Sequence, residues 1–153
     1  MTPFSLERAA ESLTLWASNP QMPESHRLDV DIDAAHLLDA VAALRQMHWG
    51  YLAAITGVDL GVESGVVEVL YHFANRVDVL TLRVKIPREN AAIDSLCALI
   101  PAAVLYEMEL REMLGVNVRG LKAQGYLFLA EDWPSDVHPL RKDADLAKGR
   151  GAL

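Results

Sequence analysis

Cysteine is nearly absent from this sequence of 153 residues, which contains only Cys97. A single thiol cannot form an internal disulfide, and it falls short of the four thiolates that usually hold an iron–sulfur cluster. The five histidines are scattered along the chain and show no compact ligand spacing of the H-E-x-x-H kind. The sequence therefore predicts a chain without a metal or redox centre of its own.

Long apolar runs and basic residues are scarce as well. No uninterrupted hydrophobic stretch approaches the roughly 20 residues of a membrane-spanning helix, so none is predicted. Glu7, Arg8 and Glu11 interrupt the apolar core that a signal peptide needs, so secretion by that route is not expected. The 14 Lys and Arg residues are outnumbered by 21 Asp and Glu, and the net charge of −7 disfavours binding to nucleic-acid phosphates.

Signatures of nucleophilic and nucleotide chemistry are missing from the sequence. It contains no G-x-S-x-G, no glycine-rich phosphate loop and no G-x-G-x-x-G after a predicted strand. Nothing in these motifs therefore points to an enzyme of either class.

Hydrophobic periodicity divides the first 120 residues into alternating elements. Apolar residues at helical spacing predict a helix over residues 5–17 with Ser5 as its N-cap. Leu28, Val30 and Ile32 alternate with aspartates, which is typical of a half-buried strand. The other predicted elements are a helix after Asp33, strands near residues 51–60, 67–73 and 80–86, helical structure from about Ala91, and a last helix from Pro101 to Gly115. This order predicts an α+β fold, with an antiparallel or mixed β-α-β-β-β sheet, helices packed on one face and an extra N-terminal helix.

The last residues form a segment of a different kind. Residues 121–153 have no clear period, apart from a short predicted strand at 126–129, and their polar composition buries too little apolar area to offset ordering costs of about 1–2 kcal/mol per residue. We therefore expect a domain over residues 1–120 and an extended C-terminal tail over 121–153 that docks on a partner. Trp133 would supply an apolar anchor, and Arg141 with Lys142 a charge clamp.

The predicted last helix is rich in acidic residues. Glu107 and Arg111 are spaced as an i, i+4 ion pair, and Glu109 and Glu112 lie three residues apart. Two close carboxylates can bind a divalent metal or act as acid and base. Acidic helix faces are more often structural, so a face covered by solvent or by a partner is the favoured interpretation and a carboxylate enzyme is its rival.

Two spaced motifs give the sequence a family resemblance. E-x-E-x-x-E-x-x-G ends at Gly115, and E-D-W-P followed by P-L-R-K-D spans Glu131 to Asp143. With the preceding segments AAITGVDL, VEVLYHF and RVKIPREN, this order resembles the thirty-kilodalton subunit of NADH-quinone oxidoreductase, which is respiratory complex I. Met108 and Glu112 replace the usual Arg and Asp, and LKAQGY replaces H-P-D-L-R-R, so the related subunit of membrane-bound nickel–iron hydrogenases stays open.

The resemblance implies a non-redox structural subunit of a peripheral, hydrophilic arm on the cytoplasmic side of a membrane. It implies packing against a large quinone-site or hydrogenase-like subunit and association with a small iron–sulfur subunit. Iron–sulfur clusters, and nickel–iron in the hydrogenase case, would belong to those partners, while electron transfer would be coupled to ion translocation. A free-standing binding module related to the subunit is a further alternative.

The residues expected at the partner interface come from the two motifs. They are Glu107, Glu109, Arg111, Glu112, Trp133, Pro139, Arg141, Lys142 and Asp143. No catalytic, cofactor-binding or metal-binding residue is predicted.

Overall fold

The computed structural model describes residues 5–150. Positions 1–4 of the predicted domain and 151–153 of the predicted tail lie outside the described residues. The strands are β1 (Ala17–Gln21), β2 (Arg27–Ile32), β3 (Tyr51–Asp59), β4 (Val66–Asn75), β5 (Asp78–Pro87), β6 (Ala92–Asp94) and β7 (Asn117–Arg119). The helices are α1 (Leu6–Ser12), α2 (Leu37–Gln46), α3 (Val104–Leu114) and α4 (Leu146–Arg150), with short 3-10 helices at Ala34–His36 and Pro101–Ala103.

Five strands form one mixed sheet in the order β1-β2-β5-β4-β3. Strand β2 pairs antiparallel with β1 and parallel with β5, where Val30 lies opposite Leu82. The mixed sheet and the N-terminal helix confirm the predicted α+β class. None of the helices within residues 5–150 has the length and apolar character that a bilayer crossing requires.

The described chain divides into two compact units. The first comprises residues 5–56 and 69–85. Its core contains the apolar face of β2 and β5 and the predicted stripe of α2; the buried residues include Leu28, Val30, Ile32, Leu37, Val41, Leu44, Leu80 and Leu82. The prediction of a half-buried strand is wrong at Asp29, which is also buried and pairs with Arg27 over 3.0 Å. Ser5 caps α1 by accepting the Arg8 N–H, as predicted, but α1 ends at Ser12 and β1 occupies part of the expected linker.

The second unit comprises residues 57–68 and 86–150. Helical structure from Ala91 is not found, because residues 92–94 form β6, which pairs in parallel with β7 and buries Ile93. The predicted last helix is confirmed: Pro101 opens a 3-10 turn, α3 follows, and Gly115 ends it in the left-handed conformation with φ +67°.

Candidate functional site

Helix α3 directs the buried carboxylate of Glu112 at the backbone of the tail. The N–H groups of Phe128 and Leu129 donate to Oε2 over 2.9 and 3.2 Å, and the Leu127 N–H donates to Oε1. These donors explain why residues 126–129 are not the predicted strand, since a side chain takes the bonds that a strand ladder would use. Charge-assisted bonds are about twice as strong as neutral ones. Glu112 therefore fixes this loop against α3.

The neighbouring Arg111 holds the chain just before the same loop. Its two terminal nitrogens donate to the carbonyl oxygens of Ala123 and Gly125 over 2.8 and 2.6 Å. The planar guanidinium suits this arrangement because its donors have a fixed fork geometry. Arg111 and Glu112 thus secure the backbone on both sides of Tyr126.

Glu107 lies on α3 but is almost completely buried, with 1% of its surface exposed. Ser95 Oγ and the Leu96 N–H donate to its carboxyl oxygens over 2.6 Å each, and Cys97 Sγ donates over 3.2 Å. The predicted Glu107–Arg111 ion pair on a solvated face is therefore wrong, because both side chains satisfy backbone and side-chain groups of neighbouring loops. Burial raises the pKa of the Cys97 thiol above its usual range.

A second anchor joins β3 to the tail. Arg88 donates to both oxygens of the fully buried Asp59 carboxylate over 2.8 and 2.9 Å, and it also pairs with Asp143. The backbone N–H groups of Lys142 and Gly61 also donate hydrogen bonds to the Asp59 carboxylate, over 2.9 and 3.0 Å. The hydrogen bonds from Arg88 hold the pKa of Asp59 well below its usual range. The same guanidinium lowers the pKa of Asp143.

Arg141 caps the C-terminal end of α3. Its Nε donates to the Leu114 carbonyl over 2.6 Å, and one terminal nitrogen donates to the Arg88 carbonyl over 3.2 Å. The Leu140 N–H donates to the Met113 carbonyl over 2.9 Å. The last carbonyls of a helix have no intrahelical partner and carry partial negative charge, so a cation and an N–H group are suitable caps. The P-L-R-K-D motif therefore ties the tail to α3.

A cavity of about 380 Å³ lies between α3 and the tail. Trp133 forms one wall, donating its indole N–H to the Val137 carbonyl over 2.7 Å. His138 forms another and bonds through Nδ1 to the Glu112 carbonyl, 3.1 Å away. The full lining is Arg111, Glu112, Gly125, Tyr126, Leu129, Trp133, Pro134, Ser135, Val137 and His138.

The predicted interface residues divide by their environment. Glu107 and Glu112 are buried; Glu109, Arg111, Trp133, Pro139 and Arg141 are partly buried; Lys142 and Asp143 are exposed. The structure brings Arg141, Lys142 and Asp143 together around the Arg88–Asp59 pair, and Arg111, Glu112 and Trp133 around the cavity. Their contact with a partner stays a prediction.

Sequence reasoning missed three residues of this arrangement. Asp59 carries the one available signal, a charge in an otherwise apolar predicted strand. Arg88 lies in the RVKIPREN segment but has no local feature that identifies its partner. His138 sits beside the P-L-R-K-D motif, and its ring lies so close to Gly115 that a Cβ there would be 2.4 Å from two ring atoms.

The rival carboxylate-enzyme hypothesis gains no support from this geometry. Both oxygens of Glu112 accept backbone N–H groups, so it is poorly suited to act with Glu109 as an acid–base or metal-binding pair. Within residues 5–150, no group of three or more His, Cys, Asp or Glu side chains is arranged to hold a metal ion.

Comparison with known proteins relates the sequence of this chain to one family. The sequence profile of the respiratory-chain NADH dehydrogenase 30 Kd subunit matches residues 30–150. Hydrogenase-4 component G of Escherichia coli (strain K12) is 34% identical over 127 residues, covering 81% of this chain. The chain spans only 22% of that protein's length.

A second relative supports the same family, and a solved structure shares the fold. The C subunit of the NADH-quinone oxidoreductase of Roseiflexus castenholzii (strain DSM 13941 / HLO8) is 32% identical over 125 residues, covering 78% of this chain and 70% of that protein. A chain of the membrane-bound sulfane sulfur reductase, an archaeal respiratory membrane complex, shares the fold with a TM-score of 0.80 at 21% identity, covering 96% of this chain and 91% of that one. The profile match and the relative of similar length both confirm the predicted resemblance: the chain belongs to the family of the 30 Kd subunit of the respiratory-chain NADH dehydrogenase.

Proposed function

We propose that the chain is a non-redox structural subunit of the peripheral arm of a membrane-associated oxidoreductase complex. The family match over residues 30–150 carries this proposal. The site chemistry supports it, since Glu107, Arg111, Glu112 and Arg141 spend their hydrogen bonds on holding loops in place. Such a site can shape and present a surface, but it offers no free acid–base pair.

The proposed partners are a large quinone-site or hydrogenase-like subunit and a small iron–sulfur subunit. The chain would pack against the large subunit on the cytoplasmic side of the membrane and support electron transfer coupled to ion translocation. Iron–sulfur clusters would be held by partners, because the chain's single cysteine cannot supply the usual ligands. The NADH-quinone oxidoreductase type is the first choice, because the chain spans 70% of its relative from that type of complex.

A hydrogenase-type assembly is the second candidate. The observation that favours it is the 34% identity to hydrogenase-4 component G. In that protein the matching region is only 22% of a longer chain. In both candidate complexes this chain would be a non-redox structural subunit, and the complexes would differ in their electron donor and acceptor.

Native purification tests the proposal. The full chain, tagged and expressed at its natural level, should co-purify from gently solubilised membranes with a large subunit and an iron–sulfur subunit. NADH-quinone reductase or hydrogenase activity in the purified complex would decide between the two assemblies. The chain stripped of partners should show no visible absorption and no stoichiometric iron or nickel. A chain that purifies alone, or one that carries its own chromophore, would contradict the proposal.

A further inference from the structure

The loop between the two motifs exposes three successive large apolar side chains. Tyr126, Leu127 and Phe128 are 38%, 42% and 58% exposed. Single exposed apolar residues are normal on a protein surface, but a contiguous group often marks an interaction site. These three residues, called the apolar loop below, lie outside both motifs of the family resemblance.

The backbone of the apolar loop is held in place from α3. Arg111 binds the carbonyls before it, and Glu112 binds the N–H groups of Leu127, Phe128 and the following residue. A carboxylate is costly to bury unless hydrogen bonds compensate it, so this arrangement commits a charged group to the loop's shape. A fixed loop loses less conformational entropy on binding than a flexible one. The exposed side chains are thus presented in a preorganised form.

The cavity described above adjoins the apolar loop, and Tyr126 belongs to both. Leu129, Trp133 and Val137 give the cavity apolar walls, and its volume of about 380 Å³ exceeds that of one large apolar side chain. Protruding side chains and a neighbouring recess together resemble the anchors and pockets that dominate protein interfaces. The two features therefore form one surface.

The charge beside this surface restricts what can cover it. Glu131 and Asp132 are exposed, and no ion pair joins either carboxylate to another residue of the described chain. A second copy packed symmetrically on the same patch would face these carboxylates with like charges. An anionic membrane surface would be repelled for the same reason. A protein segment with apolar side chains flanked by lysine or arginine is the complementary occupant.

We propose that the apolar loop and the adjoining cavity dock an apolar, lysine- or arginine-flanked segment of a partner subunit. This inference rests on the proposed function and adds the surface that the partner would use. It also gives Arg111 and Glu112 an indirect role, since they position the loop and their side chains point at its backbone.

Photocrosslinking in the full chain tests the proposal. A photoreactive benzoylphenylalanine replaces Phe128, and the control replaces Val77, which is 70% exposed in the other unit. The probe at 128 should crosslink a co-purifying subunit at an apolar peptide that contains lysine or arginine, while the probe at 77 should not. A crosslink to a second copy or to lipid, or none from an assembled complex, would overturn the docking surface.

Two variants give an independent readout. Leu127→Ser with Phe128→Ser retains the backbone N–H groups that bind Glu112, so the thermal unfolding midpoint should stay unchanged while co-purified partner falls at least about tenfold, a typical loss when a central apolar anchor is removed. Glu131→Lys with Asp132→Lys should reduce partner recovery. Added salt should lower the recovery of partner with the unmodified chain by screening attraction, but raise it with this variant by screening repulsion. Full recovery with the serine variant would overturn the proposal and leave the subunit assignment intact. If the unmodified chain joins no complex, the proposed function itself fails.

Discussion

At the scale of single residues, Glu112 shows how a buried charge organises a loop. Glu112→Gln should lower the free energy of unfolding by roughly 2 kcal/mol, because an amide offers only one acceptor oxygen to three backbone N–H groups and points donors at the rest. Denaturant unfolding of the isolated chain measures this change. Glu109→Gln is the matched control on the same helix, and it should change stability by less than about 0.5 kcal/mol. Equal losses in both variants would show that Glu112 has no special role.

Asp59 makes a prediction about pH. Its pKa in the folded chain is lowered, chiefly by hydrogen bonds from Arg88, so its stabilisation is present above its unfolded pKa of about 4 and is lost as the pH falls below that value. Asp59→Asn should cost roughly 3 kcal/mol at pH 7, as when one partner of a buried ion pair is removed. Below about pH 4 the difference in the free energy of unfolding between Asp59→Asn and the unmodified chain should decrease by up to about 1.4 kcal/mol per pH unit.

Chemical unfolding at pH 7, 5 and 3 checks the Asp59 prediction. Asp143→Asn is the control, because Asp143 pairs with the same guanidinium but its side chain is 55% exposed. It should cause a much smaller loss at pH 7, since exposed ion pairs are screened by solvent. If the difference in unfolding free energy between Asp59→Asn and the unmodified chain stays constant from pH 7 to pH 3, the lowered pKa of Asp59 is contradicted.

At the scale of elements, the end of α3 is the point where the tail is attached. Gly115 has φ +67° and faces the His138 ring, so Gly115→Ala combines backbone strain with a steric clash. Gly65→Ala is a close control, because Gly65 has φ +65° and no atom within 4 Å of an added Cβ. Gly115→Ala should destabilise by about 1–3 kcal/mol more than the control, as overpacking does. Similar thermal unfolding midpoints for the two variants would show that the His138 contact is unimportant.

Elements with a regular period were predictable, and those stabilised by distant side chains were not. The apolar positions of β2 and β5 and the Pro101 and Gly115 signals of the last helix depend on local sequence, and the structure confirms them. The burial of Asp29 between two of those apolar positions was not predictable in this way, because Arg83, which joins Arg27 as its partner, is brought to it by the fold. Residues 92–94 and 126–129 depend instead on partners more than 10 residues away: β7 makes the first a strand, and the Glu112 carboxylate prevents the second from being one. A single sequence shows no sign of such pairings.

The candidate site follows the same division. The two motifs located Arg111, Glu112, Trp133 and Arg141, but their sequence positions do not reveal that most of their polar groups face the chain's own backbone. The exposed apolar loop between the motifs gave no sequence signal beyond its weak strand propensity. Charged residues are usually exposed and large apolar residues buried, but here Glu112 is buried and the apolar loop is exposed.

At the scale of the whole molecule, the tail makes the connection between folding and assembly testable. Its residues cover Glu112 and Arg111, supply the Lys142 N–H to Asp59, and cap α3 through Arg141. A chain that ends at Gly120 loses all these contacts, yet the first unit keeps its own apolar core. We therefore expect this truncated chain to remain folded, with lower stability, and to be absent from the complex.

A milder truncation separates the two effects. A chain that ends at Asp145 loses α4 and the contact of Gly149 with the Trp133 ring, but it retains the apolar loop and both of the loop's α3 anchors. It should therefore still join the complex, whereas the chain that ends at Gly120 should not. Circular dichroism melting and co-purification from membranes measure the two outcomes side by side. Recovery of the Gly120 truncation at the level of the full chain would show that the partner binds elsewhere, and loss of both truncations despite intact folding would place the essential contact in the last residues.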